Sequence, residues 1–424
     1  MADEWQTATI EEIAEKVAMG PFGSSIKVET FVDNGIPIIS GQHLTGTRLV
    51  DFENNFISLE HAERLKNANV YRGDVIFTHA GNIGQVAYIP ESSKYNRYVI
   101  SQRQFYMRCN QGKIIPEFIT YFFTSPEGQH KLLANTSSSG VPSIAQPVSY
   151  LKTIKVPVPP LPEQRAIASI LGALDDKIEL NRQMNKTLDS MAQAVFKSWF
   201  VDFEPFTGQG MQESQVGPIP VGWETLKSSQ AIIINPPRRL ERGIDATYVD
   251  MASLPTSSAR VINITTRAYS GSGSRFQQGD TLFARITPCL ENGKTAIVDF
   301  LRDGEVGWGS TEFIVLGPKQ PIGMYYIYCL ARNPDFRAHA IQAMSGTSGR
   351  QRVDSKCLDY YYLAIPPQEI MQKFQETVRP WFEMLKNNDE ESQTLAEIRD
   401  TLLPKLLTGE LRIGDAENFI EEVA

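Results

Sequence analysis

The chain has 424 residues, of which 42% are hydrophobic and 21% charged, with a formal net charge of −8. This fits a globular chain with room for two to four domains and real cores, and no apolar run approaches the roughly 18 residues that span a bilayer. The acidic start, Met1 to Gln6, lacks a signal-peptide pattern, and the scattered cysteines (Cys109, Cys289, Cys329, Cys357) and histidines (His43, His61, His79, His130, His339) have neither disulfide nor zinc spacing, so a cytoplasmic, metal-free chain is expected.

Residues 1–158 read mostly as β-structure with short helices. Thr9 to Val17 reads as a short helix with Ile10, Ile13 and Val17 on one side. Ile36–Ile39, Val75–Phe77, Val86–Ile89 and Phe105–Arg108 read as strands, each bounded by Gly, Pro or Asn. Pro116 to Phe123 opens a helix with proline in its first turn. Ser137–Gly140 reads as a flexible loop, and Ile154–Val158 as a short strand running into Pro159–Pro160. From Pro162 to about Phe200 the pattern is helical, roughly 58 Å at 1.5 Å per residue, with Ile167, Ile170, Leu171, Leu174 and Ile178 in one stripe. A solitary helix of that length is unstable in water, so the stripe must meet something. Phe206 to Val221, rich in Gly, Gln and Pro, reads as a linker.

After that linker the chain repeats itself. Arg72-Gly73-Asp74-Val75-Ile76-Phe77 returns as Gln278-Gly279-Asp280-Thr281-Leu282-Phe283, a Gly-Asp turn feeding an apolar strand. Gly323 to Leu330 returns the helix, Ser345–Gly349 the Ser/Gly loop, and Leu363–Pro367 the closing strand. Pro366–Pro367 open a second helical run, Gln368 to about Leu407, at an offset of 207 residues from the first. At that offset Ile167, Leu171, Leu174 and Ile178 match Phe374, Val378, Trp381 and Leu385, while Leu188 and Val195 match Leu395 and Leu402. Two such runs packed antiparallel would separate two globular parts with a helical spacer. Pro380 and Pro404 predict kinks or breaks in the second run.

The charge is uneven. Residues 366–424 hold six basic and thirteen acidic side chains, whereas ten arginines lie between Arg238 and Arg337. Phosphate contacts supply most non-specific DNA affinity, so any DNA-binding surface must be a local basic patch or be completed by partners. The candidates are polar residues beside strand ends, where loops reach ligands. They are Ser24, Ser25 and Lys27 in the Gly20–Lys27 loop; Thr78, His79 and Asn82; Gln102 and Arg103; and Ser138 and Ser139. In the second half they are Arg238, Arg239, Arg285, Lys294, Ser348 and Arg350. Arginine can bond guanine, and glutamine adenine, through two contacts. Ile233-Ile234-Asn235-Pro236-Pro237-Arg238 has the start of an amino-methyltransferase loop, but Arg238 stands where the base-stacking aromatic belongs. No Gly-x-Gly turn accompanies it, and no paired-carboxylate, Ser-His-Asp or Gly-Lys-Ser/Thr constellation is present, which argues against a catalytic role.

Val156-Pro157-Val158-Pro159-Pro160-Leu161-Pro162-Glu163-Gln164-Arg165-Ala166-Ile167 resembles the segment that opens each helical region in specificity (S, HsdS) subunits of type I restriction-modification systems. Leu395 to Leu411, and Gly73–Phe77 followed by Gly81–Gly84, are similar to the same family. The likeness departs at Pro366-Pro367-Gln368-Glu369-Ile370-Met371, where the second copy lacks the full Leu-Pro-Glu-Gln. The resemblance implies an α+β chain: two α/β target recognition domains separated by two long helices packed as an antiparallel coiled-coil spacer, a pseudo-two-fold internal repeat. Residues 1–158 would be the first recognition domain and 159–206 the central spacer. Residues 207–365 would be the second domain, after the 207–221 linker, and 366–424 the C-terminal spacer with its acidic tail. It also implies a non-catalytic DNA-binding subunit, bacterial or archaeal. Each domain would read half of a bipartite, asymmetric site through the major groove of double-stranded DNA, with half-sites on one face roughly 34 Å apart.

Two methylation (M) subunits would dock on the helices and restriction (R) subunits would join through the complex. S-adenosylmethionine, ATP and Mg2+ would serve those partners in N6-adenine methylation and ATP-dependent cleavage, with no cofactor on this chain. The helix-packing or docking candidates are Ile167, Leu171, Leu174, Ile178, Leu188, Trp199, Phe374, Trp381, Leu385, Leu395, Leu402 and Leu406. The alternatives are a recognition subunit of a related bipartite-cutting system with a fused methylase-nuclease, or a stand-alone adenine methyltransferase.

Overall fold

The computed structural model describes residues 5–21, 25–51, 54–137, 140–347 and 349–416. The chain forms two compact units, Met1–Ile178 with Gln393–Ala424, and Glu179–Ser392. The division falls inside both long helices, Leu161–Phe200 and Gln368–Thr408. Each unit therefore owns one α/β domain and one stretch of paired helices.

In the first unit a four-stranded antiparallel sheet runs Ala14–Met19, Gln104–Cys109, Asp74–Thr78, Val86–Tyr88. A mixed sheet runs Phe31–Val32, Phe56–Ile57, Ile36–Ile39, Arg97–Ile100, Asn69–Tyr71. Between them lies a core of Ile39, Val70, Ile76, Ala87, Ile100 and Tyr106, all fully buried. The other face of the four-stranded sheet packs Val75, Phe77, Phe105 and Met107 onto the helix Pro116–Thr124 and onto Ile167, Leu171 and Leu174 of the first long helix. Ile398, Leu402 and Leu406 of the second long helix complete that core. Asp175 receives Arg399 at 2.7 Å and Glu163 receives Arg412 at 2.8 Å, which fixes the two helices antiparallel.

The second unit repeats this plan. Its four-stranded sheet runs Ile233–Ile234, Phe313–Gly317, Thr281–Ala284, Thr295–Ile297, and its mixed sheet Thr265–Ala268, Asp245–Val249, Val306–Gly309, Ser274–Gln277. Leu188, Ala192 and Phe196 pack with Phe374, Val378 and Leu385 in its larger core, around Tyr326, Phe283 and Phe336. Here the helices pair through buried asparagines. Asn185 donates to the Asp389 carboxylate at 2.7 Å and Asn388 donates to Asn185 at 2.8 Å.

The motif at the helix start has a physical basis. Gln164 is fully buried. Its amide donates to the Pro159 and Lys113 carbonyls at 2.8 and 2.9 Å and accepts from the Ile115 amide at 2.9 Å. Glu163 accepts from Trp5 and Arg412. One Glu-Gln pair thus ties the helix to the loop before Pro116 and to both ends of the chain. At the matching position of the second copy stands Met371, also fully buried, an apolar plug in place of a polar tie.

Three expectations need correction. Thr9 to Val17 is only one helical turn, Ile10–Ile13, before the strand Ala14–Met19, because Ile13 and the chain after it are drawn onto the sheet edge beside Gln104–Cys109. The second long helix runs through Pro380 and Pro404 without a break. A mid-helix proline costs about 3 kcal/mol, and buried Val378 and Phe382 around the first, with Leu402, Leu403 and Leu406 around the second, hold the helix through it. The 207–221 segment is not a loose linker. It forms a 3-10 turn, Glu204–Gln209, and a small hairpin of Met211–Gln212 with Ile219–Pro220, anchored by Phe206, Ile219 and Trp223 in the core.

Candidate nucleic-acid interface

In each domain the strand that follows the Gly-Asp turn ends where three loops meet. In the first, the His79 amide donates to the Arg103 carbonyl at 2.9 Å and the Ile144 amide to the His79 carbonyl at 2.8 Å, with Ala80 bridged to Ser143. In the second, the Arg285 amide donates to the Glu312 carbonyl at 3.0 Å and the Val353 amide to the Arg285 carbonyl at 2.9 Å, with Ile286 bridged to Arg352. These are the same three backbone links on different side chains. Loops 79–84, 101–103 and 140–144 therefore converge, as do 285–293, 310–312 and 345–352.

Four first-domain candidates, His79, Asn82, Gln102 and Arg103, gather here. Asn82, Gln102 and Arg103 are exposed. The His79 ring bonds the Gln102 carbonyl at 3.1 Å. Gly81, at φ +86°, leaves room for the Arg103 guanidinium, which lies 3.4 Å from where a Cβ would be. Thr78 belongs to the scaffold instead. It is 2% exposed, donates to Gln85 at 3.2 Å and accepts from Gln104 at 3.4 Å. Gln85 in turn donates to the Gly41 and Leu44 carbonyls, so this network clamps the base of the loops. The Gly20–Lys27 loop starts at the cluster, with the Gly20 amide on the Gln104 carbonyl. A Cβ on Gly20 would lie 2.1 Å from the Ser101 carbonyl oxygen, so only glycine fits. Ser25 and Lys27 lie exposed at its far end, where the Ser25 carbonyl meets His61. Ser24, Ser138, Ser139 and Ser348 lie outside the described residues.

In the second domain Arg285 is half-buried, its Nε without a partner, at the centre of the cluster, and Arg350 is exposed on the third loop. Arg352 forks onto Glu312 at 2.7 to 2.9 Å. Thus Arg103 and Ser143 of one copy correspond to Glu312 and Arg352 of the other. One site presents an open guanidinium where its counterpart presents a neutralised pair. The pair was not legible in the sequence, because its two members are distant and neither stands in a recognisable motif.

Two further candidates are committed elsewhere. Arg238 donates to buried Asp280 at 2.9 and 3.1 Å, as Arg108 does to Asp74 at 2.8 and 2.6 Å. Burial pushes both carboxyls above the ordinary carboxylate range, against the pull of these arginines. Each aspartate also accepts a turn amide, from Tyr71 or Gln277, which explains why the Gly-Asp turn occurs in both copies. Lys294 donates to the Met251 carbonyl at 2.8 Å, whereas Arg239 is exposed. Asn235, at φ +50°, exchanges two hydrogen bonds with Val315 and so extends the sheet edge as a capping residue. Its side-chain oxygen is spent on that amide. Of the helix candidates, Ile167, Leu171, Leu174, Leu188, Phe374, Leu385, Leu402 and Leu406 are buried, and Ile178, Trp199, Trp381 and Leu395 are half-buried. Among the described residues no His, Cys, Asp or Glu group is placed to hold a metal ion, and no helix is long and apolar enough to cross a membrane.

One loop geometry is thus built twice on α/β domains, with side chains that differ at matched positions, the mark of an internally duplicated chain. Residues 2–190 match the family model described as the type I restriction modification DNA specificity domain. The chain is 26% identical over 433 residues to the specificity subunit of the type I restriction enzyme MjaIX of Methanocaldococcus jannaschii, covering 97% of this chain and 94% of that one. The first 190 residues thus match a specificity domain, and the chain as a whole is similar to specificity subunits of type I restriction enzymes. The HindI specificity subunit of Haemophilus influenzae is also 26% identical, covering 81% of this chain and 87% of its own. The crystal structure of the type I S subunit from M. genitalium shares the fold, with a TM-score of 0.55 at 15% identity over 96% of this chain and 97% of that chain.

Proposed function

We propose that each recognition domain reads one half of a bipartite, asymmetric DNA site with its three-loop cluster, and that the paired helices set the distance between halves. The observation that carries this reading is the duplicated backbone frame with divergent side chains, Arg103 and Ser143 against Glu312 and Arg352. Phosphate contacts position a protein on DNA, and base-edge contacts specify the sequence. Exposed Gln102, Arg103 and Asn82 in one cluster, with half-buried Arg285 and exposed Arg350 in the other, supply donor groups of the kinds that pair with base edges in the major groove. Two methylation subunits dock on the helical regions and supply S-adenosylmethionine-dependent N6-adenine methylation. Restriction subunits add ATP- and Mg2+-dependent cleavage in the same complex. The acidic face of the second long helix, with Glu376, Glu383 and Glu397, is the surface offered to those partners.

The test is to co-express the chain with the methylase encoded beside it and map methylated adenines across a genome by long-read sequencing. A gapped motif of two unlike halves is expected, and exchanging residues 1–158 for those of a relative should change one half only. An ungapped motif, or a change in both halves, contradicts the reading.

A further inference from the structure

Four strands of the two mixed sheets match in order, Phe31–Val32 of the first having no counterpart, yet their outer faces differ in kind. In the first domain Ile38 pairs with Val99, Val99 with Asn69, and Ile36 with Ile57. In the second, Tyr248 pairs with Trp308, Trp308 with Arg275, and Ala246 with Arg267. Register therefore equates Ile38, Val99, Asn69 and Ile57 with Tyr248, Trp308, Arg275 and Arg267. The first set is interior: Ile57 and Val99 are 0% exposed, Ile38 and Asn69 6%. They are covered by the short helix Leu59–Arg64 and the turn after it, whose Ala62 and Leu65 carbonyls accept the Asn69 amide at 2.8 Å. In the second domain no helix takes that place. The strands Thr265–Ala268 and Ser274–Gln277 are joined directly by Tyr269 to Gly273, and residues 262–268 are all exposed.

The uncovered face is basic and pre-organised. Arg267 lies 4.1 Å over the Tyr248 ring, which meets the Trp308 ring at 4.5 Å, and the Trp308 indole donates to the Arg267 carbonyl at 3.3 Å. A guanidinium held over an aromatic ring loses little further freedom on meeting an anion. Exposed Arg242 lies beside Gly271 on the same connection. Among the described residues none of Arg242, Arg267 and Arg275 forms an ion pair or a side-chain hydrogen bond. Arg267 is one of the groups that lower the Asp250 carboxyl, whose oxygen is already taken by Ser253. The face also adjoins the loop cluster. One residue beyond Tyr248 and Trp308, the Val249 carbonyl accepts the Ser310 amide. One residue before Arg275, Ser274 donates to the Phe313 carbonyl at 2.8 Å.

We propose that this face is a contact surface for duplex DNA flanking the half-site of the second domain, with Arg267, Arg275 and Arg242 on the phosphate backbone. It rests on the reading that the adjacent loop cluster meets DNA. A guanidinium held over Tyr248, with a second opposite Trp308 and neither paired to a carboxylate, complements a polyanion, and the first domain has buried Ile57 and Asn69 where these two arginines stand. The second domain therefore grips DNA outside its recognised bases and the first does not.

The test measures DNA affinity against salt by fluorescence anisotropy, using the full chain assembled with its methylation subunits. The duplexes are one carrying its mapped motif and one scrambled. The double variant Arg267→Ala/Arg275→Ala should weaken binding to both alike and flatten the log–log salt slope by about 0.9 per lost contact, leaving the motif unchanged. Arg267→Lys/Arg275→Lys, which keeps the charge, should retain the slope and serves as the folding control. An unchanged slope in the alanine variant overturns the proposal. So does an unchanged slope with lost methylation subunits, which would make the face a protein-docking surface. If the wild type shows no preference for its motif, the half-site reading fails separately, because the slope still reports the phosphate contacts.

Discussion

Asn181 and Asn388 occupy the same position of the 207-residue repeat and meet across the paired helices, the Asn181 amide donating to the Asn388 carbonyl at 3.3 Å. The same relation governs their neighbours. Asn181 donates to Ser392 at 3.2 Å, and Asn388 donates to Asn185, the repeat mate of Ser392, at 2.8 Å. Buried asparagines at such positions fix one register at a cost in stability. Asn388→Ala should leave the Asn185 oxygen buried and unpaired, costing about 1–3 kcal/mol. Asn185→Leu with Asn388→Leu together should recover only part of that, because the Asp389 carboxylate loses its Asn185 donor. Urea unfolding of Asn185→Leu, Asn388→Leu and the double gives the coupling energy, and an additive double would show that the pair is not coupled.

Gln164 and Met371 make a second matched pair, polar in one copy and apolar in the other. Gln164→Met should unpair the Ile115 amide and the Lys113 and Pro159 carbonyls and cost about 1–3 kcal/mol. Met371→Gln should cost a similar amount, about 1–3 kcal/mol, by burying an amide in the apolar core that holds Met371. Thermal and urea unfolding check both. A neutral Met371→Gln would mean that the second helix start has unsatisfied partners waiting.

The pairs above show which parts of the structure a sequence can reveal. The helix starts and lengths were legible, because Pro-Pro, a 3.6-residue stripe and a fixed offset are local signals. The role of the Gly-Asp turn was only half legible. Its turn was plain, but Arg108 and Arg238 come to Asp74 and Asp280 from 34 and 42 residues away, so Arg238 read as a candidate contact to phosphate or a guanine edge. Phe206, Ile219 and Trp223 were hidden among Gly, Gln and Pro, and each packs as a single anchor without periodicity. The loop candidates could be picked one by one. Their convergence follows from a strand order that places Gln104–Cys109 beside Asp74–Thr78, and no local pattern encodes that order.

Asp189 gives the second unit a pH signature. It is 6% exposed, accepts from the Tyr328 hydroxyl at 2.7 Å and lies 3.8 Å from Arg332. Burial raises its carboxyl above the usual range despite these two partners. A carboxyl raised in the folded state binds its proton more readily there than when unfolded. Its contribution to stability is therefore fullest below the ordinary value of 3.8 and is lost as pH rises through the folded value. The stability of the wild type relative to Asp189→Asn should fall with rising pH in that window, by at most about 1.4 kcal/mol per unit. Urea midpoints of both proteins from acid to neutral pH measure the difference, and a gain with rising pH contradicts it.

The contrast between Arg103 and the Glu312–Arg352 pair bears directly on what each domain reads. Glu312 holds Arg352 in a fork at the centre of the second cluster while its backbone carbonyl anchors Arg285. Glu312→Gln keeps the backbone link and removes the carboxylate, so Arg352 is freed to reach a base or phosphate. A newly placed arginine can discriminate one base pair by about 1–3 kcal/mol. The methylation map of the variant should therefore change in one half-site and keep the other, whereas Arg103→Ala should relax the opposite half. The pairing matters, because the two variants sit at equivalent positions of one duplicated frame. If both variants alter the same half, the two clusters do not read separate halves, and the division of labour between the copies is wrong. If neither alters the motif, the three-loop clusters position the domains without specifying sequence, and base reading belongs to other residues.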